Sequence, residues 1–253
     1  MKSASKLGVS AIVLIVLAGF LMATNMWDPS VVSFTRHVVG DKAASALDTT
    51  ARGSVDASKK WVDEAKDMTL EDLVQKAREL PAPEIRRIPK YDREAQFGTW
   101  VNNDLGCSTR QMILARDLDN AQLDEDDCTV LSGTLTTDPY SGKQIDFISD
   151  RAGGDSRAVQ TETIVPPSVA WRSGASTWTQ EQRAAFMNDP DNLISVGEKS
   201  RADRSDKAPD RWMPANKSYG CSFAEAYTNV TVKYGLSLDT KTRNFLVETL
   251  AQC

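Results

Sequence analysis

An uncharged apolar run decides the compartment in which most of this chain must fold. Lys2 and Lys6 precede a stretch from about Leu7 to Trp27 that carries no charged residue. A helix of about 20 apolar residues crosses a bilayer, and lysines on its near side keep the N-terminus in the cytoplasm. Residues 1–27 are therefore expected to form a cytoplasmic tip and a transmembrane anchor. The rival reading is a secretory signal peptide, which needs a shorter apolar core closely followed by small residues at −3 and −1. Leu21 and Met22 occupy the −3 position for cleavage after Ala23 or Thr24, and Ala44-Ser45-Ala46 lies far downstream. The expected location is the cell membrane, single-pass, with secretion after cleavage as the alternative. Both put the body outside the cytoplasm.

The four cysteines suit that side. Cys107, Cys128, Cys221 and Cys253 are an even set, as in oxidising compartments. They contain no CxxC, and the one histidine of the chain, His37, is far from them, so zinc spacing is absent. Nearest-neighbour pairing gives Cys107–Cys128 and Cys221–Cys253. Loops of this size stabilise by roughly 3 to 4 kcal/mol in the chain-entropy model. Buried free thiols are the alternative.

Residues 28–88 read as a stalk or linker with short helices. The first part is polar and small, and Trp61 in WVDEAKDM offers a contact for a membrane partner. Thr69 to Leu80 forms a better helix, capped by Thr69 with Asp72 at N3 and with Leu70, Leu73, Val74 and Ala77 at helical spacing. Three prolines between 81 and 89 break it, and the globular domain is expected over 89–253. Within that domain, STRQMILARDLDN reads as a helix or its start. CTVLSGTLTTDPYSGKQIDFIS reads as two strands around an Asp138-Pro139 turn, with Ile145, Phe147 and Ile148 apolar. Helices follow in WTQEQRAAFMNDPDN, capped by Thr179 or Ser176, in SFAEAYTNVTVKYGL, and in LDTKTRNFLVETLAQC with Phe245, Leu246 and Leu250 inward.

Charge and composition remove several functions. The net charge of −5 gives no basic field for nucleic acid. A single histidine near the anchor removes the usual general base and metal ligand from the body. Ser132, Ser173 and Ser176 thus lack an activating partner. The acidic stretches Asp117–Asn120 and Asp124–Cys128 offer hard oxygens for calcium but lack EF-hand spacing and its glycine, so solvated loops are expected. EKSRADRSDKAPDR reads as a salt-bridged surface helix, with phosphate binding by Arg201, Arg204 and Lys207 as the alternative. Trp171, Trp178 and Trp212 read as core and boundary residues.

Taken in order, YDREAQFGTW, GCSTRQMILARDL, CTVLSGTLTTDPYSGK, IVPPSVAWRSGASTWTQEQRAAFMNDPDNLISV, DKAPDRWMPAN and YGCSFAEAYTNVTVKYGLSLD form a specific set. The segment from about Pro89 to Cys253 resembles secreted and membrane-anchored actinobacterial proteins of the HNH endonuclease family, close to the C-terminal domain of GmrSD-type enzymes. The resemblance implies an α+β fold built on a ββα unit, with added helices and the two disulfides. It also implies an Asp-His pair on the first strand, a bracing Asn, and a further metal ligand on the helix. In such sites the His takes a proton from water while the metal holds the scissile phosphate.

Position by position, Glu162 stands for the Asp, Thr163 for the His and Asn192 for the bracing Asn. Arg201 stands where a ligand Asn is expected, Arg204 replaces a Lys, and Asp206-Lys207 match. A threonine hydroxyl is not a base at neutral pH, and a guanidinium is a permanent donor that cannot ligate metal. An Arg201–Glu162 ion pair in the metal's place is expected, with Glu162 alone a weak ligand. The resulting expectation is a catalytically inactive, extracytoplasmic, HNH-like accessory subunit of a membrane complex, needing no cofactor and not binding nucleic acid. The alternatives are an HNH-type endonuclease with an altered site and a non-cleaving nucleic-acid binder.

Overall fold

The computed structural model describes residues 69–253, apart from 85, 86 and 104. The expected anchor, the stalk up to residue 68 and His37 lie outside the described residues. Among the described residues no helix is long and apolar enough to cross a membrane.

Helix α1, Leu70–Glu79, starts at the expected capping box: Asp72 N donates to Thr69 Oγ1 at 3.2 Å, and Thr69 N donates to Asp72 Oδ2 at 3.1 Å. Its Leu73 and Ala77 are buried. They pack against the last two helices, α7 (Gly220–Lys233) and α8 (Thr240–Leu250). The compact unit accordingly runs from Thr69 to Cys253. Prolines end a helix but keep their carbonyls as acceptors. Leu238 N donates to Pro81 O at 2.9 Å and Trp171 Nε1 to Pro89 O at 3.0 Å. The proline stretch is thus tied to the domain at both ends.

Helix α2, Arg93–Phe97, is capped by Asp92 and inserts Phe97 among the rings of Tyr91, Trp171 and Phe186. Helix α3, Thr109–Asp117, is capped by Ser108. Three antiparallel strands follow in spatial order: β1 (Asp119–Leu123), β2 (Val130–Leu135) and β3 (Ile145–Ile148). Strand β1 replaces the loop expected at Asp117–Asn120. It shows no alternation because four of its five residues are exposed, and its register against β2 is irregular. Leu114, Leu118, Val130, Leu135, Phe147 and Val159 form a buried core between sheet and helix, whereas Ile148 faces outward.

The second sheet has two strands, β4 (Val159–Thr163) and β5 (Leu193–Gly197), paired antiparallel from Val159↔Gly197 to Thr163↔Leu193. Between them the chain forms α4 (Pro167–Arg172) and α5 (Gln180–Met187), the latter entering through a Thr179–Gln182 capping box. Helix α6, Glu198–Arg204, follows β5 directly and packs on both strands. This ββα unit is compatible with an HNH-like domain.

Both disulfides join the expected partners, Cys107–Cys128 and Cys221–Cys253. The second ties the first turn of α7 to the segment beyond α8. In α8 the buried residues are Thr242, Leu246 and Leu250, while Phe245 is only half-buried.

The packing of α1 gives a direct test of the domain start. Leu73→Ala is expected to lower unfolding free energy by about 2–4 kcal/mol, as for a buried leucine. The same change at the partly exposed Leu70 should cost clearly less, as read by urea denaturation.

Candidate functional site

Strand β4 turns Val159, Thr161 and Thr163 into the interior and leaves Gln160 and Glu162 half-covered. Helix α6 lies over that second side. Its seven residues place Arg201 and Arg204 one turn apart, so both reach Glu162. Arg201 Nε stands 3.1 Å from Glu162 Oε2, and Arg204 Nη1 stands 3.7 Å from Oε1. Oε1 also accepts from Thr163 N at 2.9 Å and from Thr163 Oγ1 at 3.3 Å. The carboxylate is thereby engaged on both oxygens. Its side chain is only 12% exposed, which weakens water screening of the pair.

Arg204 departs from the surface helix expected at this stretch, because it is fully buried. Nη1 donates to the Thr163 carbonyl and Nη2 to the Ile164 carbonyl. Three rings enclose the guanidinium, with its Cζ 5.7 Å from the Tyr140 centroid, 5.9 Å from Trp212 and 5.4 Å from Phe223. Cations over ring faces within about 6 Å are attracted by the quadrupole. The rings also pack edge-on with one another, Tyr140 against Trp212 at 4.8 Å. Burial pushes the Tyr140 phenol above its ordinary range. These rings come from residues 140, 212 and 223, and only the fold assembles them.

Asn192 braces the connection between the strands. It is fully buried; its Oδ1 accepts from Val165 N at 2.8 Å and its Nδ2 donates to Phe186 O at 3.2 Å. Its own carbonyl accepts from Ile164 N at 2.7 Å. The turn before it is held from α7 and its end: Lys233 Nζ lies 2.8 Å from both Asp189 and Asp191, and Tyr234 Oη donates to Asp189 at 2.8 Å. Burial, then Asp189, pushes the Tyr234 phenol up.

Asp138 is a further organising residue, read from sequence only as part of a turn. It is fully buried and accepts from Ser141 Oγ and Ser200 Oγ, each at 2.6 Å, and from Gly197 N at 3.4 Å. One carboxylate therefore ties the turn after β2 to the junction of β5 and α6. A Cβ at Gly197 would meet Ile145 Cδ1 at 2.6 Å and would displace the end of that side chain.

The structure thus brings Glu162, Thr163, Asn192 and Arg201 into one corner and adds Arg204 behind them. Lys207 points back to the Asp203 carbonyl. Three carboxylates of the acidic stretches have protein partners. Asp117 receives Arg116 and Ser195 N, and Asp124 pairs with Arg151 at 2.6 Å. Asp126 accepts from Thr129 N, Thr129 Oγ1 and Cys128 N, which lower its carboxyl to about 2. Trp171 is buried, whereas Trp178 and Trp212 sit at the boundary. Among the described residues there is no histidine, and no three His, Cys, Asp or Glu side chains converge as metal ligands.

The site geometry ranks the residues by cost of removal. Arg204→Met leaves two buried carbonyls unpaired and one cation fewer against Glu162, and is expected to cost about 3–5 kcal/mol. Asn192→Ala, which orphans Val165 N, is expected to cost about 1–3 kcal/mol. Urea denaturation of the two variants checks the order.

Comparison with known proteins places the chain. Residues 108–249, more than half of it, match the family model described as GmrSD restriction endonucleases, C-terminal domain. An uncharacterized secreted protein of Arthroderma benhamiae is 33% identical over 165 residues, covering 64% of this chain and 76% of the relative. No solved structure matches. On the family model, and on the length and identity shared with that relative, the chain belongs to the family of GmrSD restriction endonuclease C-terminal domains.

Proposed function

We propose that this domain is a catalytically inactive member of its family: an extracytoplasmic HNH-like module serving as an accessory or structural subunit of a cell-envelope membrane complex. The observation that carries the reading is the Arg201–Glu162 contact at 3.1 Å, with Arg204 on the other carboxylate oxygen. Hydrolysis by this fold needs a base for water and a divalent cation on the phosphate. Thr163 offers a hydroxyl, which does not take protons at neutral pH. Arg201 offers only donors, and it already neutralises the carboxylate that a metal would need. The residues present therefore do not fit a divalent metal, and no hydrolytic step is assigned to it. Two disulfides and a secreted relative support a place outside the cytoplasm. In this reading the apolar run and stalk attach the module to its membrane partners.

Membership in a nuclease family favours a second reading, a metal-dependent endonuclease that uses Glu162 and Asn192 in altered chemistry. Cleavage assays separate the two. Purified protein incubated with plasmid DNA, single-stranded DNA or RNA is expected to leave each intact with Mg²⁺, Mn²⁺, Ca²⁺ or Zn²⁺. Cleavage that disappears in Glu162→Ala would establish the nuclease instead. Retention of intact DNA that weakens with salt would indicate binding without cleavage.

A further inference from the structure

The two arginines at Glu162 are not equivalent. Arg204 is fully buried, and two backbone carbonyls and three rings hold it. Arg201 has a side chain that is 50% exposed, and among the described residues Glu162 is its side-chain partner. Arg204 is thus part of the interior, while Arg201 is a cation laid on the open side of a mostly covered carboxylate. Glu162 itself is fixed in direction, since Oε1 is held by Thr163 N and Oγ1. Its Oε2 points to the place that Arg201 fills.

We infer that the Arg201 guanidinium is a resident counter-cation, a protein-borne substitute for a bound metal ion, which makes the β4–β5–α6 unit complete without divalent ions. The inference rests on the non-cleaving reading above. It locates the choice between an internal and an external cation in one side chain. With both arginines present, a divalent ion would be the third cation on one carboxylate and is repelled. Replacing Arg201 by a carboxylate reverses the demand. An aspartate oxygen reaches the position of the arginine Cδ, one bond short of Nε. The gap left to Glu162 Oε2 suits a cation with oxygen ligands at about 2.0–2.6 Å. Two facing carboxylates repel each other unless such a cation joins them.

Thermal unfolding of the whole protein, wild type, Arg201→Gln and Arg201→Asp, tests this in EDTA and in millimolar Mg²⁺, Mn²⁺ or Ca²⁺. The wild type and Arg201→Gln are expected to melt at the same temperature with and without divalent ions, within about 1 °C. Arg201→Asp is expected to melt below Arg201→Gln in EDTA and to recover by about 3 °C or more with Mn²⁺ or Ca²⁺. Arg201→Asp that folds only with the ion also supports the inference. Three results overturn it: stabilisation of the wild type by a divalent ion, Arg201→Asp as stable as Arg201→Gln in EDTA, or no recovery of Arg201→Asp with any ion. DNA cleavage by a wild type whose melting ignores divalent ions would defeat the functional reading alone. Metal-sensitive melting without cleavage would defeat this inference alone.

Discussion

A guanidinium with no access to water must find an answer to its charge and its donors inside the protein. Arg204 finds most of this at the junction of β4 and α6: the Thr163 and Ile164 carbonyls for its terminal nitrogens, Glu162 for its charge, and three aromatic faces around it, with no hydrogen-bond partner for its Nε among the described residues. Burying such a group costs several kcal/mol unless its partners are in place. The requirement propagates outward. The rings of Tyr140, Trp212 and Phe223 bring the turn after β2, the segment after α6 and helix α7 to the same point. Asp138 closes the circuit by holding the start of α6 from the turn that carries Tyr140.

The same network sets the chemistry of the corner. Glu162 lies where a metal-binding carboxylate is implied by the resemblance, but the charged side chains against it are two arginines. Asn192 holds the connection between the two strands through Val165 and Phe186. Hydrogen bonds from Asn192 to the backbone hold the hairpin, and the two arginines gather on its Glu162 side.

Much of this was legible in the sequence where the signal was local. The capping boxes at Thr69 and Thr179, the strands on either side of Asp138-Pro139, and the pairing of four cysteines by proximity all describe contacts between residues close in the chain. The corner of Glu162, Thr163, Asn192 and Arg201 followed from the resemblance, because a ββα unit imposes that convergence. Three features were hidden by physics that does not repeat along the chain. Strand β1 is exposed at four of its five residues, with only Ala121 packed on the core, and shows no alternation. The proline stretch reads as a linker, yet its carbonyls are acceptors for Leu238 and Trp171. Arg204 sits in an alternating run of charges that resembles a solvated helix, and the rings that bury it are 64, 8 and 19 positions away in sequence (residues 140, 212 and 223).

The central claim is that arginine, not metal, completes the Glu162 corner. Paramagnetic broadening measures this most directly, by recording backbone amide signals of the isotope-labelled protein during a titration with Mn²⁺. The account predicts no selective loss of the Glu162, Thr163 and Arg201 signals at ion concentrations that leave the exposed acidic loops unaffected. Selective broadening of those three signals at low Mn²⁺, relieved by EDTA, would show a metal bound at Glu162 and contradict the account.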